Sequence, residues 1–129
     1  FLDSIINKKK INIFNNGKMQ RDFTYIDDVV RAVFELTIKV QNSKSKIHKI
    51  FNIGRGKGVN LLKFIKCIED ILNIKSKKKF LPLQKGDMIN TKSNINKINK
   101  LIKIRAGVNL KYGLTKFIEW YYEYYKVKI

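Results

Sequence analysis

Apolar residues recur at helical spacing in two stretches of the chain, and each stretch follows an asparagine. Asn60 precedes the first stretch and Asn109 the last, and asparagine favours the N-cap because its side-chain oxygen accepts a backbone N–H. The apolar positions are Leu61, Phe64, Ile65, Ile68 and Leu72 in the first, and Leu110, Leu114, Phe117, Ile118, Tyr121 and Tyr125 in the last. The spacing predicts two amphipathic helices, each with one buried face.

A third helix is predicted from the acidic pair Asp27 and Asp28 to about Val40. Either carboxylate suits an N-cap and the positive end of the helix dipole. The apolar positions form a wide stripe, which predicts heavy burial: Val29, Val30, Val33, Phe34, Leu36 and Ile38. Two shorter helical segments are expected as well, one ending near Ile6 and one capped by Asn94, with Ile95, Ile98 and Ile102 on one stripe.

Short apolar runs between turn signals predict three strands, at residues 11–14, 49–53 and 77–81. Residues 20–26 are expected to be extended. Asn and Gly residues at 15–17 and a loop over 82–93 separate these elements. Strands that alternate with helices indicate an α/β fold, and 129 residues allow one domain or part of a larger one.

The net charge of +18 has two interpretations. Dense positive charge is typical of nucleic-acid binding. The chain, however, has 24 Lys but only 4 Arg, together with 20 Ile and 13 Asn, and all three abundant residue types have AT-rich codons. The lysines are also scattered along the chain. These features favour a compositional bias, with a general attraction for small anions as a further alternative.

Several classes of protein are disfavoured by what the sequence lacks. Cys67 is the single cysteine and His48 the single histidine, so neither a disulfide framework nor a His/Cys metal site is expected. No apolar run reaches the roughly 20 residues that span a bilayer, and no signal-peptide pattern is present. We therefore expect a cytoplasmic protein. Because Phe1 is not Met, we also expect the chain to be part of a longer one.

Three groups of residues have both a functional and a structural interpretation. The glycine-rich residues 54–58 follow the spacing G-x-G-x-G, which matches no phosphate-loop pattern, so a structural turn is favoured over anion contact. Asp22, Asp27 and Asp28 resemble catalytic or metal-binding carboxylates, but helix capping and a local pair with Arg21 explain them more simply. The aromatic residues at 120–125 are expected to pack rather than to stack on a ligand.

Arg21 is a candidate binding residue because an extended segment can present its planar guanidinium fork to a diphosphate. The residues around it, NNGKMQRDFTYIDD at 15–28, resemble the signature G-x-x-R-D-[FY]-x-[YH]-[IV]-x-D of NAD-dependent epimerases and dehydratases, the extended short-chain dehydrogenase/reductases. Three further segments resemble this family in the same order: FNIG at 51–54, QKGD at 84–87 and GLTKFIEWYYEYY at 113–125. Within this family, the residues of these segments are most similar to those of UDP-glucuronate 4-epimerases.

The resemblance covers residues 1–129 and implies the C-terminal, nucleotide-sugar-binding part of such an enzyme, with the N-terminal Rossmann part outside this chain. The implied enzyme uses NAD to oxidise and reduce C4 of the sugar, interconverting UDP-glucuronate and UDP-galacturonate. No catalytic residue is expected in this chain, so alone it would be inactive. The implied partner is the UDP-sugar substrate, with no nucleic acid and no membrane, and the parent enzyme would be a homodimer.

The resemblance also implies which residues bind the substrate. Arg21 would contact the diphosphate, Asn52 would lie near the phosphates, and the strand around Phe14 would pass the uracil. Gln84 stands where many members have a phosphate-binding Arg, and Asp87 belongs to the same loop. A stand-alone, non-catalytic nucleotide-sugar-binding lobe and a basic nucleic-acid-binding protein remain the alternatives.

Overall fold

The computed structural model describes residues 1–42, 48–102 and 107–127. Its elements, in chain order, are α1 (Leu2–Ile6), β1 (Lys10–Ile13), a 3₁₀ turn (Phe14–Gly17), β2 (Gln20–Arg21), α2 (Ile26–Gln41), β3 (Val59–Asn60), α3 (Leu61–Leu72), β4 (Lys77–Phe80), α4 (Asn96–Asn99) and α5 (Leu110–Tyr125). The predicted α/β class is confirmed, and so are the strands near residues 11–14 and 77–81.

Helices α3 and α5 pack against each other and against β1 to form the main core. Its buried residues are Leu2, Ile5, Ile11, Ile13, Met19, Leu61, Ile65, Ile68, Leu114 and Ile118. Ile65 is fully buried, and burying one such side chain contributes about 1.5–3 kcal/mol. The caps agree with the prediction. Asn60 Oδ1 accepts hydrogen bonds from the N–H groups of Leu62 and Lys63, and Asn109 Oδ1 accepts one from Tyr112.

Two small sheets flank the main core. Strand β1 pairs in parallel with β4, with Lys10 opposite Lys77 and Ile13 opposite Phe80. Strand β2 pairs antiparallel with β3, and Gln20 forms an additional parallel bridge with Asn90. Two-stranded sheets have little stability of their own. The sheets are therefore held by the helices and loops around them.

Helix α2 differs from its prediction in both burial and capping. Its buried residues are Asp28 and Ala32, and Ala32 packs with Ile98 and Ile102 in a second, small core. Of the predicted apolar stripe, Leu36 packs against this small core, and four other members are largely exposed: Val30 58%, Val33 48%, Phe34 65% and Ile38 44%. Burial of an apolar stripe requires a partner, and the described residues provide one on the Ala32 side alone.

Neither predicted acidic N-cap of α2 is correct. The cap position is Tyr25, and no side chain accepts a hydrogen bond there. Asp28 lies within the first turn, where its carboxylate accepts hydrogen bonds from the Arg31 guanidinium and from the backbone N–H of Val108. The carboxylates of Asp27 and Asp28 still lie at the positive end of the helix dipole, as expected.

Two other predicted elements are corrected. Residues 49–53 do not form a strand, because a strand needs a neighbouring strand and no described segment pairs with them. Ile50 in this segment is 72% exposed. Helix α4 ends at Asn99, and its N-cap is Ile95 rather than the predicted Asn94, with no side-chain hydrogen bond at the cap. Asn94 Oδ1 accepts a hydrogen bond from the N–H of Asn96, and Ile98 is fully buried.

Candidate functional site

Strand β2 lies at the centre of the candidate site because the loop after β4 runs alongside it. The N–H of Gln20 donates to the carbonyl of Ile89 at 2.9 Å, and the N–H of Thr91 donates to the carbonyl of Gln20 at 3.1 Å. On its other side β2 pairs with β3. The 82–93 loop is thus fixed beside Arg21, the residue that the sequence singles out.

The guanidinium of Arg21 is held by the 82–93 loop. Its Nη2 donates to Asp87 Oδ1 at 2.9 Å, and its Nη1 donates to the carbonyls of Gln20 and Ile89 at 3.0 and 3.3 Å. The side chains of Arg21 and Asp87 remain 28% and 31% exposed. The predicted local pair of Arg21 with Asp22 is wrong, because the partner of Arg21 is Asp87. Two of the predicted substrate-binding residues therefore lie in direct contact.

Asp22 instead accepts backbone hydrogen bonds from two other segments. Its carboxylate receives the N–H groups of Arg55 at 3.2 Å, Gly56 at 3.0 Å and Ser93 at 2.9 Å. Arg55 and Gly56 belong to the glycine-rich residues 54–58. The N–H groups that could have held a phosphate are therefore occupied by a carboxylate, which supports the interpretation of this segment as a structural turn.

The same junction explains why residue 54 is a glycine. A Cβ atom on Gly54 would lie 2.2 Å from Ser93 Oγ and 2.6 Å from Ser93 Cβ. Real Cβ atoms do not approach other atoms so closely, so a side chain at this position would separate the two loops. Gly56 has a φ of +70°, a conformation that glycine adopts without strain.

The remaining predicted site residues, Gln84, Phe14 and Asn52, lie on three different segments. Gln84 is exposed, and its carbonyl accepts the N–H of Asp87 at 3.1 Å across a turn that contains Gly86 at a φ of +85°. Phe14 is half-buried in the 3₁₀ turn after β1 and packs against the main core. Asn52 is exposed and lines an open cleft of about 420 Å³ together with Asp22 and residues 91–94. Arg21 and Asp87 are thus joined by direct bonds, and Asn52 and Asp22 share one cleft.

An apolar cleft of about 580 Å³ lies between residues 23–26 and α5. Aromatic side chains dominate its lining, among them Phe23, Tyr25, Phe64, Phe117 and Trp120. The prediction that the aromatic residues of α5 pack is correct for Tyr121 and Tyr122, which contact the main core. It is wrong for Trp120 and for two neighbours on the same helix: Trp120, Tyr124 and Tyr125 are 48%, 65% and 57% exposed and contact one another.

The nucleophilic and metal-binding candidates are weak within the described residues. Cys67 is half-buried on α3, and burial, with the nearby Asp70 carboxylate, raises the pKa of its thiol, so it stays protonated at neutral pH. His48 is exposed. Over residues 1–42, 48–102 and 107–127, no three His, Cys, Asp or Glu side chains are grouped so that they could hold a metal ion. No helix in these ranges is long and apolar enough to cross a membrane.

Comparisons with known proteins agree with the resemblance seen in the sequence. The model of the NAD dependent epimerase/dehydratase family matches residues 1–54. An uncharacterized protein of Methanocaldococcus jannaschii is 42% identical over 123 residues, which are 95% of this chain and 36% of that protein. UDP-glucuronate 4-epimerase 5 of Arabidopsis thaliana is 33% identical over 137 residues, 97% of this chain and 31% of that protein.

A solved structure extends the agreement to three dimensions. It is the UDP-glucuronic acid 4-epimerase from Bacillus cereus in complex with UDP-glucuronic acid and NAD. The match has a TM-score of 0.77 at 30% identity and covers 94% of this chain and 38% of that one. The resemblance to NAD-dependent epimerases and dehydratases, and to UDP-glucuronate 4-epimerases among them, is therefore confirmed. The chain spans about a third of the length of the proteins it matches.

Proposed function

We propose that residues 1–129 are the C-terminal, UDP-binding part of a longer NAD-dependent epimerase that interconverts UDP-glucuronate and UDP-galacturonate. The observation that carries this proposal is the match to the Bacillus cereus enzyme, which covers 94% of this chain at 30% identity. That enzyme was solved with UDP-glucuronic acid and NAD. The Arabidopsis relative, with 33% identity over 97% of the chain, is named for the same substrate.

The geometry around Arg21 supports a diphosphate contact. A guanidinium has five N–H donors, and the bonds to Gln20, Ile89 and Asp87 use three of them. Two donors thus remain for a ligand, as far as the described residues show. Asp87 holds the fork in place from the loop, and the half-exposed position of the pair gives a ligand access. In this proposal Asn52, Gln84 and Phe14 line the approach to the same site.

The NAD site lies outside this chain in our proposal. The glycine-rich segment is the one part of the described chain that resembles a phosphate cradle, and the Asp22 carboxylate already accepts its N–H groups. These residues do not fit a dinucleotide. NAD supplies hydride transfer at C4 when bound to the enzyme. Residues 1–129 contribute binding and orientation of the UDP moiety, which helps to place the reacting sugar, and alone they would be inactive.

The exposed apolar surfaces of α2 and of residues 49–53 support a longer chain. Phe34, Val30 and Ile50 are each more than half exposed, although they belong to apolar patterns that are typical of buried elements. A stand-alone binding lobe would leave this surface in water, where it favours association. We therefore propose that the remainder of the longer chain covers α2 and pairs with residues 49–53, and that the longer chain forms a homodimer.

Calorimetric titration of UDP into the full-length protein tests the binding role of Arg21. We expect Arg21→Ala to weaken UDP binding by about 10- to 100-fold, because a hydrogen bond to a charged group contributes roughly 1.5–3 kcal/mol. Arg21→Lys keeps the charge without the fork and should be intermediate. Lys63→Ala, which removes an exposed cation from α3, is the matched control and should bind normally.

Two outcomes would contradict the proposal. If the wild-type protein does not bind UDP, the proposed nucleotide-sugar function is wrong. If Arg21→Ala binds UDP with wild-type affinity, the diphosphate does not bind at Arg21. If residues 1–129 alone melt cooperatively and bind UDP, the stand-alone lobe becomes the better description.

A further inference from the structure

Asp22 joins three segments that are distant in sequence. Its Oδ2 accepts the N–H groups of Gly56 at 3.0 Å and Ser93 at 2.9 Å, and its Oδ1 accepts the N–H of Arg55 at 3.2 Å. Thr24 Oγ1 accepts the Arg55 N–H as well, at 3.1 Å. One carboxylate thus satisfies three backbone N–H donors and connects the 54–56 turn to the end of the 82–93 loop.

Arg21 and Asp22 together hold the 82–93 loop near its middle and at its end. Successive side chains of an extended segment point to opposite sides. Arg21 accordingly reaches Asp87 and the carbonyl of Ile89, while Asp22 reaches Ser93. The loop is held at two places by one dipeptide, so its position relative to the Arg21 fork depends on both bonds.

We propose that Asp22 is a positioning residue for diphosphate binding, an inference that rests on the UDP-binding role proposed above. Its carboxylate does not contact the ligand. It holds the 82–93 loop and the 54–58 turn at a fixed spacing, and the loop in turn holds the Arg21 guanidinium through Asp87. No pattern in the sequence indicates this role for Asp22.

The substitution Asp22→Asn distinguishes a positioning role of Asp22 from a simple effect of its charge on ligand binding. Asparagine has the same shape but one acceptor oxygen, so at least one of the three N–H bonds must be lost. Removing a negative charge close to Arg21 would by itself strengthen binding of an anionic ligand. A positioning role predicts the opposite sign, because the loop and the fork lose their fixed spacing.

The experiment compares UDP with uridine on the full-length protein, by calorimetry and ligand-observed NMR. For Asp22→Asn we expect the Kd of UDP to rise by about 3- to 10-fold, as for one lost hydrogen bond, and the Kd of uridine to change less than twofold. A general loss of folded structure would weaken both ligands equally. Asp27→Asn removes an exposed carboxylate five residues away and should leave both affinities unchanged.

A double-mutant cycle with Arg21→Ala tests whether Asp22 acts through Arg21. If it does, Asp22→Asn adds less than twofold to the Kd of UDP once Arg21 is absent. A full additive effect would overturn the proposal, as would tighter UDP binding or equal weakening of UDP and uridine in Asp22→Asn.

A milder variant keeps the test decisive if Asp22→Asn fails to fold. Thr24→Val removes the second acceptor of the Arg55 N–H without changing side-chain shape, and the Kd of UDP should rise about two- to threefold while that of uridine does not. Unchanged UDP binding in Thr24→Val would then contradict the proposal. Absence of UDP binding by the wild-type protein is a distinct result, since it contradicts the proposed function itself.

Discussion

Two asparagine side chains hold the starts of helices, and a carboxylate 66 residues away in the sequence holds Arg21. Asn60 and Asn109 cap the helices that follow them, because the N–H groups they accept lie two or three residues away. Arg21 has a partner on a distant loop instead. Asp22 is adjacent and acidic, yet the bond goes to Asp87, 66 residues later. Such pairs are set by how the loops fold back.

Glu69 on α3 bonds to residues seven and nine positions later in the chain, and these bonds make the stability of the fold depend on pH. Its carboxylate accepts hydrogen bonds from the N–H and Oγ of Ser76 at 2.7 and 2.6 Å and from the Lys78 ammonium. Partial burial raises the pKa of Glu69, but the bonds from Lys78 and Ser76 outweigh burial and lower it to about 2. Because this pKa is below the ordinary value of roughly 4.3, the ionised form stabilises the fold.

We expect Glu69→Gln to lower the free energy of unfolding at pH 7 by about 2–3 kcal/mol. This stabilisation is complete above about pH 5 and is lost as the pH falls towards 2. The difference between wild-type and variant, measured by urea denaturation at several pH values, should therefore shrink from pH 5 to pH 2. Glu123→Gln, at an exposed position of α5, should show no such difference. A constant difference over this pH range would exclude the assigned role of the Glu69 charge.

Whole elements were predictable where their apolar face has a described partner. The stripe of α3 is buried against α5 and β1 as its spacing predicted. The apolar spacing of α2 predicts a buried face in the same way, but that face is largely exposed. The predicted strand at 49–53 is absent. Periodicity shows that a face is apolar, but it does not show which part of the protein covers it.

Phe34 on α2 tests what covers that face. Within residues 1–129 it is 65% exposed, and a substitution at a position that stays exposed changes the free energy of unfolding by less than about 0.5 kcal/mol. In the full-length protein we expect Phe34→Gln to cost about 2–3 kcal/mol, because a covered Phe side chain is lost. Glu35→Gln, at the next position, is the control and should be neutral. A cost below about 0.5 kcal/mol for Phe34→Gln in the full-length protein would mean that nothing covers α2.

At the scale of the whole molecule, the sequence established the α/β class and the family resemblance more firmly than the pairing of strands. Strand β1 pairs with β4, with Lys10 opposite Lys77. These strands are far apart in the sequence, so no local pattern predicts that they pair. The family motifs were more informative because they preserve the order of segments whose contacts are distant. Arg21 and Asp87 belong to two such motifs, and the fold brings them within 2.9 Å of each other.

We propose that this chain is part of an enzyme acting on UDP-glucuronate. The most direct test is to incubate the full-length protein with UDP-glucuronate and NAD and to follow the sugar by proton NMR. We expect UDP-galacturonate to appear in the wild-type reaction and to be strongly reduced in Arg21→Ala. Binding of UDP-glucuronate by the wild-type protein without formation of the C4 epimer would contradict the proposal, as would conversion by Arg21→Ala at the wild-type rate.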